Sequence, residues 1–354
     1  MRRIHLDNIL PGMKLGKTIF TSEGKVLLAA GIELRNNYID KLRNNGIFEI
    51  FIEDDISYHV DIPDVICEKT RLQAKIIVKK LMESSSFCST INIGKVKEII
   101  DKIIDELLSS KSILVSLSEI KSVDDYTFEH SVNVCILSLI TGIGLGFNLT
   151  RLMDLGVGAL LHDIGKMRIP EEILKKPSQL TVEEFEEIKK HTIYGYEILK
   201  NNPNVSMISA FIAFAHHERF DGSGYPLQLK SENIHQCARI VAVADVYDAL
   251  TSDRVYRKKL RPHQVVEYIT SLGSHHFDND IVQEFIKYIS VYPVGTGVVL
   301  STKERGLVVR VDKSFPTRPV VRIVYNEFFE RLAVCRELDL SKILNIHIVD
   351  CCEI

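Results

Sequence analysis

Gly158-Ala159-Leu160-Leu161-His162-Asp163-Ile164-Gly165-Lys166 sets an imidazole and a carboxylate side by side in an otherwise apolar run. Such a run reads as a buried helix, and polar groups projecting from it are costly unless something offsets their desolvation. The chain on either side, from about residue 116 to residue 290, repeats this pattern. Val132, Cys135, Ile136, Leu139 and Ile140 make one apolar face of a helix that starts near His130. Thr181 with Glu184 forms a capping box, predicted to open a helix that runs through Leu199 with His191 near its middle. His216 and His217 close the apolar run Phe211 to Ala215. Asp245 interrupts Ile240 to Ala244, inside a segment that is apolar nearly all round. The whole stretch is predicted to be a helical domain.

The flanks read differently. Residues 1–60 carry short apolar runs broken by glycine and proline, with Thr18-Ile19-Phe20 and Val26-Leu27-Leu28 flanking Ser22-Glu23-Gly24 as a hairpin and a short helix near residues 37–44. This is a small β-containing N-terminal module. Residues 61–115 become helical, with Val96, Ile99, Ile100, Ile103, Ile104 and Leu107 at three-to-four spacing, and read as a helical connector. Residues 116–290 are the helical domain. Residues 291–354 switch to Val298-Val299-Leu300, Leu307 to Val311 and Val320 to Tyr325 between Gly and Pro turns, a small C-terminal all-β module. The fold class expected is mainly α.

Composition narrows the function classes. In 354 residues, 45% apolar and 26% charged is the balance of a folded chain and excludes a disordered or collagen-like one. Lys and Arg number 44 against 47 Asp and Glu, a net charge of -3, so there is no general attraction to DNA or anionic lipid. The longest apolar run, Val134 to Phe147, is too short to span a membrane. Seven scattered cysteines without a CxxC pair, after a Met-Arg-Arg-Ile start with no secretory signal, point to a reducing cytoplasm.

Taken singly, each buried His or Asp is an ordinary core residue or helix cap. Together they ask for a common explanation. His130, His162, Asp163, His191, His216, His217 and Asp245 occupy buried or half-buried positions on separate helices, and divalent metal compensates their desolvation most economically. A mixed imidazole and carboxylate set without Cys suits Fe, Mn or a similar first-row ion rather than a structural zinc. Seven ligands, one of them a carboxylate able to bridge, make two metal ions the natural count.

The ordered motifs resemble one family. His162-Asp163 matches the pair that names the HD phosphohydrolase superfamily, and His216-His217-Glu218-Arg219-Phe220-Asp221-Gly222-Ser223-Gly224-Tyr225-Pro226 resembles the extended signature of its HD-GYP subfamily. Asp-x-Tyr-Thr-x-x-His-Ser at 124–131, His162 to Lys166, and Ala244 to Arg254 complete the resemblance over about half the chain. It implies an all-helical catalytic domain and metal-dependent hydrolysis of cyclic di-GMP to pGpG, often onward to GMP. It also implies that the seven residues above are the metal ligands, with Asp163 bridging. Some members hold a third metal with a Glu four positions before the first ligand His. Tyr126 stands there in this chain, which favours two ions.

Within such a site a metal-bridging hydroxide attacks phosphorus in line with the departing ribose 3′ oxygen. Lys166 is placed to donate to the phosphate, and Asp124 to position or deprotonate the water. Arg254 and Arg257, three apart, suit phosphate oxygens, and Tyr225 can offer its ring to a guanine. The adjacent pair His275-His276 is assigned no metal. The resemblance adds diguanylate-cyclase domains and a second copy of the chain as candidate partners. Two alternatives stand beside this reading: a hydrolase of another cyclic dinucleotide, such as a mixed adenine-guanine messenger, and a cyclic di-GMP receptor with weak or no catalysis. Loss of metal ligands marks such receptors, and none is lost here.

Overall fold

The computed structural model describes the chain except residues 22, 63, 84–91, 111–125, 177 and 253–258 and the side chain of residue 126. The described residues form two compact units, one within residues 1–64 and 289–354, the other within residues 65–110 and 126–288. The segment read as a connector thus packs within the helical unit, and the two terminal β segments pack within one unit.

In the β unit, β1 (Arg2–His5), β2 (Lys14–Leu15) and β5 (Glu49–Glu53) form an antiparallel sheet in the order β1-β5-β2. The expected hairpin is β3 (Ile19–Phe20) with β4 (Val26–Leu28), and the expected short helix is α1 (Asn36–Asn44). Ile4, Leu15, Leu34, Leu42, Ile50 and Ile52 make their shared core. The C-terminal strands, β6 (Gly297–Leu300), β7 (Arg305–Arg310), β8 (Val320–Tyr325), β9 (Arg331–Asp339) and β10 (Ile348–Cys352), form a second antiparallel sheet in the order β10-β6-β7-β8-β9. Ile56 and Val60 from the first segment pack with Leu307 and Val324 of that sheet, so alternating apolar residues in two distant stretches close one core.

The helical unit comprises α2 (Glu68–Glu83), α3 (Ile93–Ser109), α4 (Tyr126–Gly144), α5 (Leu149–Leu160), α6 (Glu171–Leu174), α7 (Val182–Lys189), α8 (His191–Lys200), α9 (Met207–Ala215), α10 (Gln236–Thr251), α11 (Pro262–Ser271) and α12 (Asn279–Ile286). Side-chain caps start several of them: Asn148 accepts from the Arg151 N–H, Ser206 from Ser209 and Thr181 from Glu184, whose carboxylate reaches back to the Thr181 N–H.

Three local expectations are corrected. Helix α4 is buried on every side from Glu129 to Gly142 rather than along one face, because α2, α3, α5, α10 and α12 all pack on it. The helix expected from Thr181 through Leu199 breaks at Lys190. There the His191 ring N–H takes the Ile188 carbonyl at 2.6 Å and the Thr192 hydroxyl takes the Lys189 carbonyl at 2.9 Å, so side chains capture the last-turn acceptors of α7. Finally, His162 and Asp163 sit in the turn after α5, before a 3-10 segment at Ile164–Arg168, not within a continuous helix.

Candidate metal centre

The structure brings all seven expected residues together. His130 comes from the first turns of α4, His162 and Asp163 from the turn after α5, and His191 from the start of α8. His216 and His217 follow α9, and Asp245 lies in α10. Three overlapping groups, His191/His216/His217, His130/His162/Asp245 and His162/Asp163/His216, each place their candidate ligand atoms within 4.8 Å of one another.

The two carboxylates span the cluster. Asp163 Oδ2 is 3.3 Å from His162 Nε2 and 3.9 Å from His130 Nε2, while its Oδ1 is 3.5 Å from His191 Nε2 and 3.9 Å from His216 Nε2. Asp245 reaches His130 Nε2 at 3.0 Å with Oδ1 and His217 Nδ1 at 3.7 Å with Oδ2. Lys166 Nζ donates to Asp163 Oδ2 at 2.6 Å.

Hydrogen bonds behind the rings fix their tautomers. Nδ1–H of His162 donates to the Ala159 carbonyl at 2.8 Å, that of His191 to Ile188, that of His216 to Ala213 at 3.0 Å, and that of His130 to Asp248 Oδ2 at 2.8 Å. Each of these four rings therefore turns Nε2 toward the centre, the orientation a metal-binding imidazole needs. His162 Nε2 is buried and has no hydrogen-bond partner among the described residues; Asp163 lies near it without hydrogen-bond geometry. An orphaned buried acceptor of this kind is expensive unless a cation meets it.

The protonation states agree with that geometry. Burial pulls His191 down to about 4 and lowers His216 and His217, the first two causes at His216 being burial and the His217 charge, so all three offer lone pairs at neutral pH. At Asp163, burial works upward but is outweighed by Lys166 and His162, which hold the carboxyl well below its ordinary range. At His130, burial works downward but is outweighed by Asp245 and Asp248, which raise it to about 9. Without metal, a proton occupies His130 where a cation would otherwise sit. Buried Nε2 atoms, two ionised carboxylates and one orphaned acceptor fit divalent metal.

Of the remaining expected site residues, Tyr225 stacks 4.9 Å from His217. It lines a cavity of about 730 Å³ with Lys189, Arg219, Tyr268 and His276, within the size range of small-molecule sites. Asp124, Arg254 and Arg257 lie outside the described residues, as does the side chain of Tyr126. Two close approaches need glycine. A Cβ on Gly224 would stand 2.4 Å from the Arg219 nitrogen, so the loop bearing Tyr225 folds tightly as expected. A Cβ on Gly165 would meet the His191 carbonyl oxygen at 1.9 Å.

Sequence reading passed over two supporting acids. Asp248, fully buried, receives His130 and the Asn133 side-chain amide at 2.9 Å. Glu218, also buried, accepts the Leu227 and Leu229 N–H groups at 2.7 and 3.1 Å and ties down the loop between. The signal for Asp248 was its spacing, three residues after Asp245 on an apolar helix.

Comparison with known proteins agrees with this geometry. An HD domain family model matches residues 115–281, and a KOW domain associated with HD domains matches residues 297–354. A cyclic di-GMP phosphodiesterase of Pseudomonas aeruginosa is 34% identical over 254 residues, 72% of this chain and 61% of that protein. One of Thermotoga maritima is 39% identical over 184 residues, 52% and 50% of the two chains. A 3′3′-cGAMP-specific phosphodiesterase of Vibrio cholerae is 38% identical over 129 residues, 36% of this chain and 25% of that protein. The chain thus spans between one quarter and about three fifths of these relatives. The HD pair, the GYP loop and the histidine cluster all lie in one helical unit, within the stretch that matches the HD domain model, so that stretch carries an HD domain.

Proposed function

We propose that the chain is a metal-dependent phosphodiesterase that hydrolyses cyclic di-GMP to pGpG. The observation that carries this reading is the way Asp163 divides the cluster, one oxygen toward His130 and His162 and the other toward His191 and His216. A carboxylate so shared suits a bridge between two cations. His130, His162, Asp163, His191, His216, His217 and Asp245 would hold them, and the donor set favours Fe or Mn. Bound divalent ions supply Lewis acidity to phosphoryl oxygens and lower the pKa of a water.

The chain's own groups do the rest. Lys166 Nζ, now on Asp163, is 28% exposed and can exchange that carboxylate for a nonbridging phosphate oxygen or the departing 3′ oxygen. Tyr225 offers its ring to a guanine at the cavity wall. Arg254 and Arg257 are assigned to phosphate and Asp124 to the attacking water, by motif. Binding in the cavity orients the phosphodiester and excludes bulk water.

A cytoplasmic location, diguanylate-cyclase domains as partners and self-association complete the proposal. Among the described residues no helix is long and apolar enough to cross a membrane. Hydrolysis of a mixed cyclic dinucleotide is the second reading, favoured by the similarity to the Vibrio cholerae enzyme. Purified protein loaded with Fe or Mn without oxygen and given cyclic di-GMP and 3′3′-cGAMP separately tests both. Preferential appearance of pGpG is expected; failure to cleave cyclic di-GMP overturns the first reading.

A further inference from the structure

A chain of side-chain hydrogen bonds leaves the metal centre and ends on α2, outside the HD-pair motifs. His130 Nδ1–H donates to Asp248 Oδ2 at 2.8 Å, Asn133 Nδ2 donates to Asp248 Oδ1 at 2.9 Å, and Arg71 Nη1 donates to Asn133 Oδ1 at 2.6 Å. Asn133 and Asp248 are fully buried. Each link constrains the next. The Arg71 guanidinium offers only donors, so Asn133 must face it with oxygen and turn its NH2 toward Asp248. That donor is directed to Oδ1 of Asp248, and Oδ2, which also receives the Ser252 hydroxyl at 3.5 Å, accepts from His130, whose Nε2 then points at the centre. Were the amide to rotate, its oxygen would oppose the carboxylate.

The outer end is fixed as well. Glu106 of α3 accepts the Cys67 N–H and the Thr70 hydroxyl, both at 2.6 Å, and so pins the start of the helix that carries Arg71.

We propose that Arg71 is a positioning residue for the metal centre, acting through Asn133 and Asp248 to hold His130 in its ligating orientation. This rests on the proposed function only in needing metal at His130, not in the identity of the substrate. The segment read as a connector thereby gains a specific role, because the seating of α2 sets how firmly one ligand of the cluster is held.

The test is Mn²⁺ titration of the metal-stripped full chain, with free ion counted by electron paramagnetic resonance, for wild type, Arg71→Met, Arg71→Lys and Asn133→Leu. Methionine keeps the apolar stem of arginine without its donors. Arg71→Met is expected to weaken manganese binding at one of two sites about 10-fold, the low end for loss of a group supporting a ligand. Arg71→Lys, which restores a donor, should recover most of the loss, and Arg71→Met in an Asn133→Leu background should add nothing. Unchanged affinity in Arg71→Met, a fall in melting temperature alone, or additive losses in the double variant would each overturn the proposal. Wild-type protein that binds manganese but leaves cyclic di-GMP intact whether loaded with Mn or with Fe overturns the proposed function while these affinities still decide the role of Arg71; wild-type protein that binds neither Mn²⁺ nor, without oxygen, Fe²⁺ overturns both.

Discussion

Arg2, Arg318 and Arg322 of the β unit and the histidine cluster of the helical unit are charged groups taken wholly or partly out of water, and they are finished in opposite ways. In the β unit, the guanidinium of Arg2 meets Asp54 at 2.8 Å and the Ile354 carbonyl, Arg318 donates to the carbonyls of Leu340, Ile343 and Ile346, and Arg322 divides itself between Tyr58, Ile56 and Glu337. Every one of these bonds ends on an acceptor supplied by the chain. In the helical unit, five imidazoles and two carboxylates converge with Lys166 at their edge, and among the described residues His162 Nε2 meets no donor. A polar cluster closed by its own chain is structural; one left with acceptors facing inward is built for something the chain does not supply.

This contrast breaks most readily at the cluster. His162→Ala or Asp163→Ala should take hydrolysis to background and lower bound metal, with the helices intact by circular dichroism; retained turnover in either would make the cluster as structural as the arginine network. Lys166→Ala should lower kcat roughly 10²-fold, the scale of losing one charge-stabilising donor, with metal content unchanged. Stripping the metal should lower the melting temperature, and added Mn²⁺ at 100 times its Kd should restore about 2.7 kcal/mol. Calorimetry of wild type and Arg2→Ala checks this: the metal-dependent increment should be equal in both, because the closed network takes no part in it.

Smaller effects sharpen the other side. Arg2→Ala should cost about 1–3 kcal/mol, between an exposed and a buried ion pair. At Asp54, burial pushes the carboxyl upward, but the hydrogen bond and charge of Arg2, with help from Ser57, outweigh it and lower the value. A lowered native value means the native state binds fewer protons, so Asp54 contributes stability above the ordinary carboxylate range and loses it as pH falls through the depressed value. Denaturant midpoints measured between pH 6 and pH 2 should therefore fall less steeply in Arg2→Ala than in wild type.

Much of the centre was legible because its residues violate the pattern around them. An Asp inside Ile240 to Ala244, or a His beside an apolar run, stands out wherever helices are apolar, and ordered motifs supplied the roles. What stayed hidden was local backbone geometry and partnership across the chain. Periodicity carries α7 straight into α8, since nothing in it reports that the His191 and Thr192 side chains will take backbone carbonyls. It likewise made α4 one-sided, because the packing of five helices on a sixth is a tertiary fact. Asp248 read as one more motif letter until His130 and Asn133 were seen to share it. Arg71 carries no signal of its own among the charged residues of α2, and only the fold brings it to Asn133.

Gly165 has a consequence for how this chain can change. Its backbone lies so near the His191 carbonyl that a single methyl group would overlap it, so the turn bearing His162 and Asp163 meets α8 peptide against peptide. Cores elsewhere absorb altered volume by repacking flexible side chains, but this seam contains none to repack. Drift in the surrounding apolar residues can therefore alter stability while leaving the spacing between the two halves of the histidine cluster untouched, whereas any residue but glycine at position 165 would wedge them apart in one step.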